Sequence, residues 1–215
     1  MLLDLTNYVP HLREEFPLLP LESAPWNLVA KLPQELPRLL QQLDLKEYED
    51  RAGVYIHRSA RVEDGAILKA PALIHEGCFI AAHAYLRGGV ILGPQVTVGP
   101  GCELKTSIIS SRSVLAHFNF VGDSIIGRNV NLEAGAVVAN HWNERTDKAI
   151  HVRINGQRIG TGLTGFGALL GDGVRIGANA VLSPGTLLEP GAVVGRLQLV
   201  EQDGVELWGK SAPRE

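Results

Sequence analysis

The chain has 215 residues, of which 45% are hydrophobic and 20% charged, and a formal net charge of -3. That length holds one well-buried domain with a small appendage, and the slight negative charge excludes a general basic field for nucleic acid or an anionic membrane, so any anion site must be built locally. The opening Met1-Leu2-Leu3-Asp4-Leu5 lacks a basic segment followed by an apolar one, and no stretch reaches the roughly 18 apolar residues of a membrane span. A cytoplasmic protein with no nucleic-acid or membrane partner is therefore expected. The 24 glycines beside only 6% aromatic residues suit tight corners and thin, uniform apolar layers.

Residues 1–50 are proline-punctuated and amphipathic around Leu32, Leu36, Leu39, Leu40 and Leu43. They predict a short helical cap over the open end of whatever follows, with Trp26 packed inside it.

From 51 to 200 a period of six takes over. Aliphatic residues recur at Ile56, Val62, Leu68, Ile74, Ile80, Leu86, Leu92, Val98 and Leu104, with smaller ones four places later at Ala60, Ala66, Ala72, Cys78, Ala84, Val90, Val96 and Cys102. The pattern resumes at Leu170, Ile176, Leu182, Leu188 and Val194. A short strand followed by a turn explains this, where helical or alternating periods do not. Three such units close a triangular coil of 18 residues, and stacked coils pair their strands about 4.8 Å apart. The class is mainly β, a parallel β-helix. Between Leu104 and Leu132 the anchors at Ile109, Leu115, Val121 and Ile126 include two steps of five instead of six, and such slips re-aim side chains. From about 140 to 162 the repeat stops for a polar loop with Trp142, Arg145, Lys148 and Arg153, and 201–215 is expected to be a C-terminal tail. Cys78 and Cys102 fall at the small buried slot and read as small hydrophobes.

Residues 18 apart lie one above the other, so Lys69, Arg87 and Lys105 form a basic ladder on one edge. Either an anion lies against it or the side chains splay into solvent. His117, in the irregular stretch, reads by itself as either a structural or a catalytic histidine.

The run Ala116-His117-Phe118-Asn119-Phe120-Val121-Gly122-Asp123, then Asn129-Val130-Asn131 and later Asn140, resembles the acetyltransferase half of the bifunctional N-acetylglucosamine-1-phosphate uridyltransferase/glucosamine-1-phosphate acetyltransferases. There the motif reads His-x-x-Tyr-x-Gly-Asp, then Asn-Val-Asn, then Asn-Tyr. Leu86-Arg87 and Glu103-Leu104-Lys105 match the arginine and Glu-x-Lys of that family at the same spacing before the histidine. The insertion and Gly162–Val174 look closer to the archaeal sugar-1-phosphate nucleotidyltransferase/acetyltransferases and to short bacterial relatives. The likeness covers residues 55 to 195. It implies the left-handed form of the β-helix, an exception to right-handed crossovers. It also implies a homotrimer with active sites between subunits, acetyl-CoA as acyl donor, no metal, and an amino-sugar phosphate or nucleotide-linked amino sugar as acceptor. Residues 1–50 hold no glycine-rich nucleotidyltransferase motif, so uridylyl transfer is not expected.

Carried over by position, His117 is implied as the general base, and an imidazole, titrating near neutrality, suits that task. Glu103 is implied to orient it. Arg87 and Lys105 grip phosphate, Asn131 and Asn140 bond the sugar, Ala134 offers a backbone N–H to the thioester carbonyl, and Ala178 lines the pantetheine channel. Phe120 and His141 stand where the family has tyrosines, and the missing hydroxyls should alter substrate choice before reaction type. Lys148 is the nearest stand-in for a lysine the family places beyond Asn140. Two other readings stay open: a non-catalytic sugar-nucleotide-binding β-helix protein, and a metal enzyme like the hexapeptide-repeat carbonic anhydrases, for which His75, His83 and His117 lack the expected spacing.

Overall fold

The computed structural model describes residues 3–44 and 46–202, so the expected tail lies outside the described residues from 203 onward. The hexapeptides form the parallel β-solenoid they imply. In chain order the strands Val54–His57, Arg61–Val62 and Ile67–Leu68 open faces one, two and three, and Ala72–Ile74 returns to face one in register with Val54–His57. Face two is a seven-stranded parallel sheet. Faces one and three share a 13-stranded sheet, because the strands Tyr85–Leu92 and Glu103–Ile109 run through the corner between them. Tyr48–Asp50 pairs antiparallel with Val54–His57 and covers the sheet edge at the first coil.

The inward residues are the aliphatic anchors of the repeat. Ile74, Ile80, Leu86, Leu92, Val98, Leu104, Leu115, Val121 and Leu132 all lie at 0% exposure in one continuous core. Each such side chain contributes about 1.5–3 kcal/mol by leaving water. Cys78 and Cys102 are buried free thiols in that core, and burial pushes Cys78 up to about 12.

The five-residue steps have a local cause at the corner between faces three and one. In the strand Tyr85–Leu92 the corner takes two residues, Gly88 and Gly89, and the ladder to the next coil shifts register between Arg87 and Val90. In the next two coils one residue turns it, Thr106 at φ 48° and Asp123 at φ 47°. Both sit in the left-handed region, which aims their side chains differently from a regular corner.

A second apolar layer was not legible in the repeat. Leu73, Ile91, Ile108, Ile125, Leu169 and Leu187 stack in register on the outside of face one and are buried there. Two helices, α1 (Leu12–Glu15) and α2 (Pro25–Leu40), share this second core with the column. The helices therefore lie along a flank, not across the open end as expected. Trp26 does pack, edge-on against Phe166 with ring centroids 6.0 Å apart. Glu15 anchors α1 by accepting from the Ser111 N–H at 3.1 Å and pairing with the Arg128 guanidinium.

The 140–162 segment is likewise more than a polar loop. Ile126 pairs with Leu170, 44 residues on, where a regular coil returns after 18, so the excursion adds 26 residues and re-enters in register. It carries an antiparallel hairpin, His151–Ile154 with Gln157–Gly160, and buries Trp142, Ile150 and Val152 in the second core. Arg145, 8% exposed, lies 3.2 Å from the Trp142 ring centroid and pairs with Glu201.

Candidate functional site

Face three carries two outward columns. One runs Ile67, Tyr85, Glu103, Phe120, Val137, Val181, Leu199, and the other brings Arg87, Lys105 and Gly122 into register. Arg87 and Lys105 are thus neighbours across the ladder, as the 18-residue spacing requires. Each cation has its own carboxylate. The Arg87 guanidinium donates from Nε to Glu103 Oε1 at 2.8 Å, and Lys105 Nζ donates to both oxygens of Asp123 at 3.0 and 2.8 Å. The lower two rungs of the ladder are therefore charge-compensated, which neither an obligatory anion nor splayed side chains would have required. Lys69, at its top, is exposed.

Asn140 enters from the start of the insertion and donates its side-chain Nδ2–H to Asp123 Oδ2. Its backbone carbonyl accepts from the Phe166 N–H at 3.0 Å, which fixes the point where the excursion returns. Gly122 makes this approach possible: a Cβ there would lie 2.6 Å from Asn140 Cγ and 2.9 Å from Phe120 Cζ. The Phe120 ring consequently lies beside the Asn140 amide. His141, next in the chain, is exposed and pairs through Nδ1 with the Thr164 carbonyl at 3.1 Å.

The corner between faces two and three holds a second set. The partner strands bring His117, Ala134 and Ala178 one above another, since Leu115, Leu132 and Ile176 are paired two residues before each. The Gly135 N–H donates to the His117 carbonyl at 2.9 Å. The His117 ring is exposed and makes no hydrogen bond among the described residues. Glu103, expected to orient it, is instead engaged by Arg87. The Ala134 N–H donates to nothing among the described residues. The Ala178 N–H is already taken by Glu133 Oε2 at 2.9 Å, and Glu133 also holds Arg196 at 2.9 Å. The bond from Arg196, first, and then that N–H keep the Glu133 carboxyl below its ordinary range.

Asn131 is exposed on face two, in register with Arg175, and so lies across the corner from Asn140 within one chain. Lys148 bonds the Asn143 carbonyl at 2.6 Å inside the insertion. The histidines of the metal reading do not converge. His75 pairs with the Tyr48 hydroxyl at 2.8 Å on face one, and among the described residues no three or more His, Cys, Asp or Glu side chains gather as a metal site. No helix among those residues is long and apolar enough to cross a membrane.

Asp123 is the residue that sequence reasoning passed over. Its signal was present, since it is the aspartate of the Gly-Asp pair and sits at the second five-residue step.

In fold and repeat, the chain resembles the hexapeptide-repeat acyltransferases. A family model described as the GMPPB C-terminal domain matches residues 51–142. More particularly, the chain is similar to the bifunctional sugar-1-phosphate nucleotidylyltransferase/acetyltransferase of Sulfurisphaera tokodaii, at 33% identity over 182 residues covering 80% of this chain and 45% of that protein. It is 33% identical over 125 residues to the bifunctional protein GlmU of Methanococcus vannielii, covering 58% of this chain and 30% of that one. An uncharacterized acetyltransferase of Escherichia coli, YaiX, is 28% identical over 206 residues, covering 91% of this chain and 84% of its own. The chain spans less than half the length of the bifunctional relatives it matches. Among solved structures, the acetyltransferase domain of PglB from Neisseria gonorrhoeae is 21% identical with a TM-score of 0.32, covering 75% of this chain and 61% of that one.

Proposed function

We propose that this protein is an acetyl-CoA-dependent N-acetyltransferase whose acceptor is an amino-sugar phosphate or a nucleotide-linked amino sugar. The observation that carries the reading is the adjacency of two sets: His117, Ala134 and Ala178 along one corner, and Arg87, Glu103, Lys105, Phe120 and Asn140 on the face beside it. Acetyl-CoA lies along the corner with its thioester carbonyl at the Ala134 N–H, a donor with no other partner among the described residues. There it stabilises the oxyanion that forms as the sugar amine attacks. His117 takes the proton from that amine, and coenzyme A leaves as the thiol. At Ala178 only the small side chain serves, by keeping the ridge shallow, because its N–H is bound to Glu133. Arg87 and Lys105 hold the acceptor phosphate with the donor positions that Glu103 and Asp123 leave open. Uridylyl transfer is no part of the proposal.

The active form is a homotrimer. Ile67, Phe118, Val181, Val193, Leu197 and Leu199 are large apolar side chains left exposed on faces two and three and the corner between them, a pattern that marks an association surface. In that assembly Asn131 of one copy serves the site of the next. Size-exclusion chromatography with light scattering is expected to give three times the chain mass, and a monomer would remove this part.

The test of the activity is transfer of labelled acetyl from acetyl-CoA to glucosamine 1-phosphate and UDP-glucosamine, in wild type and His117→Ala. Loss of about 100-fold or more in kcat is expected for the variant. Equal rates would remove His117 as base. One observation favours a second reading, a non-catalytic sugar-nucleotide-binding protein: Glu103 faces Arg87 and leaves the His117 ring unoriented within one chain. Sugar-nucleotide binding without any acetyl transfer would decide for it.

A further inference from the structure

Asp123 is held more tightly than any other charged group of this site. It is 7% exposed, and its left-handed backbone is pinned at both ends, its N–H donating to the Lys105 carbonyl at 2.8 Å and its carbonyl accepting from the Gly167 N–H at 3.0 Å. Its carboxylate takes Lys105 Nζ through both oxygens and the Asn140 amide through one.

An ionised carboxylate only accepts hydrogen bonds, so the Asn140 side chain must turn its NH2 towards Asp123 and its carbonyl oxygen away. That Oδ1 accepts no hydrogen bond among the described residues and is not sealed from solvent. Gly122 lets the amide lie flat against the backbone, and the Phe120 ring beside it offers no polar group there. Asn140 Oδ1 is thus presented as an acceptor, with its orientation set from behind.

We infer that Asp123 is the positioning residue of the acceptor site: by holding the Lys105 ammonium and turning Asn140 Oδ1 outward, it makes the site read a hydrogen-bond donor, a hydroxyl or amine, on an amino sugar. This rests on the acetyltransferase reading above.

Asp123→Asn tests it, because asparagine keeps the size and tolerates the left-handed backbone while offering both a donor and an acceptor. With acetyl-CoA and UDP-glucosamine or glucosamine 1-phosphate, the acceptor KM is expected to rise about tenfold while the acetyl-CoA KM changes less than about twofold. Adding Asn140→Ala to Asp123→Asn should then cost little more than either alone. A merely structural role would raise both KM values together or lower the melting temperature without the split, and either result overturns the inference. If the wild type acetylates neither acceptor, the acetyltransferase reading fails on its own. The positioning claim is then judged by side-chain amide NMR, where the wild type should show an Asn140 Nδ2 proton shifted downfield and protected from exchange, lost in Asp123→Asn. An unshifted, fast-exchanging Asn140 amide in the wild type overturns it without any assay of activity.

Discussion

Arg87 and Lys105 stand side by side in register on adjacent strands, and each is answered by a carboxylate one coil apart from the other's, Glu103 for the arginine and Asp123 for the lysine. The two pairs differ in burial. Arg87 and Glu103 are each about a third exposed, with side-chain values of 37% and 33%, whereas the Asp123 side chain is only 10% exposed.

That difference separates two substitutions. Arg87→Ala removes a pair that is about a third exposed and should change stability by no more than about 1 kcal/mol. Lys105→Ala leaves a buried carboxylate with one amide partner and should cost about 1–3 kcal/mol. Urea melts of the two variants check this, and equal losses would contradict the burial argument. Both should raise the KM for a phosphorylated acceptor about tenfold or more, and the wild-type KM should rise with salt as a charge-based grip is screened.

Phe120 is expected to govern acceptor choice. Phe120→Tyr restores a hydroxyl beside Asn140 and should shift the ratio of kcat/KM between two amino sugars that differ by one hydroxyl by about 10-fold or more, with little effect on acetyl-CoA. Competition assays with paired acceptors measure it. An unchanged ratio would mean that the ring does not face the sugar.

The outer column of face one predicts stability. Ile108→Ala removes a side chain at 0% exposure from the layer shared by α2 and the hairpin, and should cost about 2–5 kcal/mol. Trp26→Ala, which opens the contact with Phe166, should cost about 3–5 kcal/mol. An Ile108→Ala loss below about 1 kcal/mol would mean that the helices are not held by this column, and an equally small Trp26→Ala loss that the Phe166 contact does not hold α2.

His75 predicts a pH dependence. Burial, the largest effect, lowers its pKa below 6.5, outweighing the nearby Glu76 and Glu15, which raise it, while His57 lowers it further. The Tyr48 phenol that pairs with it is pushed up to about 12 by its own burial and stays protonated. The folded state thus keeps the imidazole neutral while the unfolded chain takes up a proton near 6.5. Stability present above about pH 6.5 is lost as the pH falls below it, until the folded ring also titrates. Thermal melts between about pH 7 and pH 5 should show a decline that His75→Gln lessens. Parallel declines in the two proteins would remove His75 as the cause.

How far the residues alone reach can be judged from these same positions. The inward aliphatics from Ile56 to Val194, the 18-residue stacking of Arg87 over Lys105 and the two five-residue steps were all legible, because a solenoid converts sequence distance into spatial distance along its axis. The burial of Leu73, Ile91 and Ile108 was not. They directly precede inward residues and look like ordinary outward positions until helices arriving from far along the chain cover them. The same limit hid Asp123: nothing in its spacing says that a left-handed corner aims its carboxylate at both Lys105 and Asn140, 18 residues back and 17 ahead.

By itself, then, the sequence determined the repeat, the triangular coil, its interior and the set of side chains stacked along each edge, because those follow from local period and strand pairing. Only the tertiary structure decided where the helices lie, that the insertion is a packed hairpin, and that carboxylates already meet the basic ladder. Those depend on side-chain direction at irregular corners and on contacts between distant segments, which no local pattern encodes.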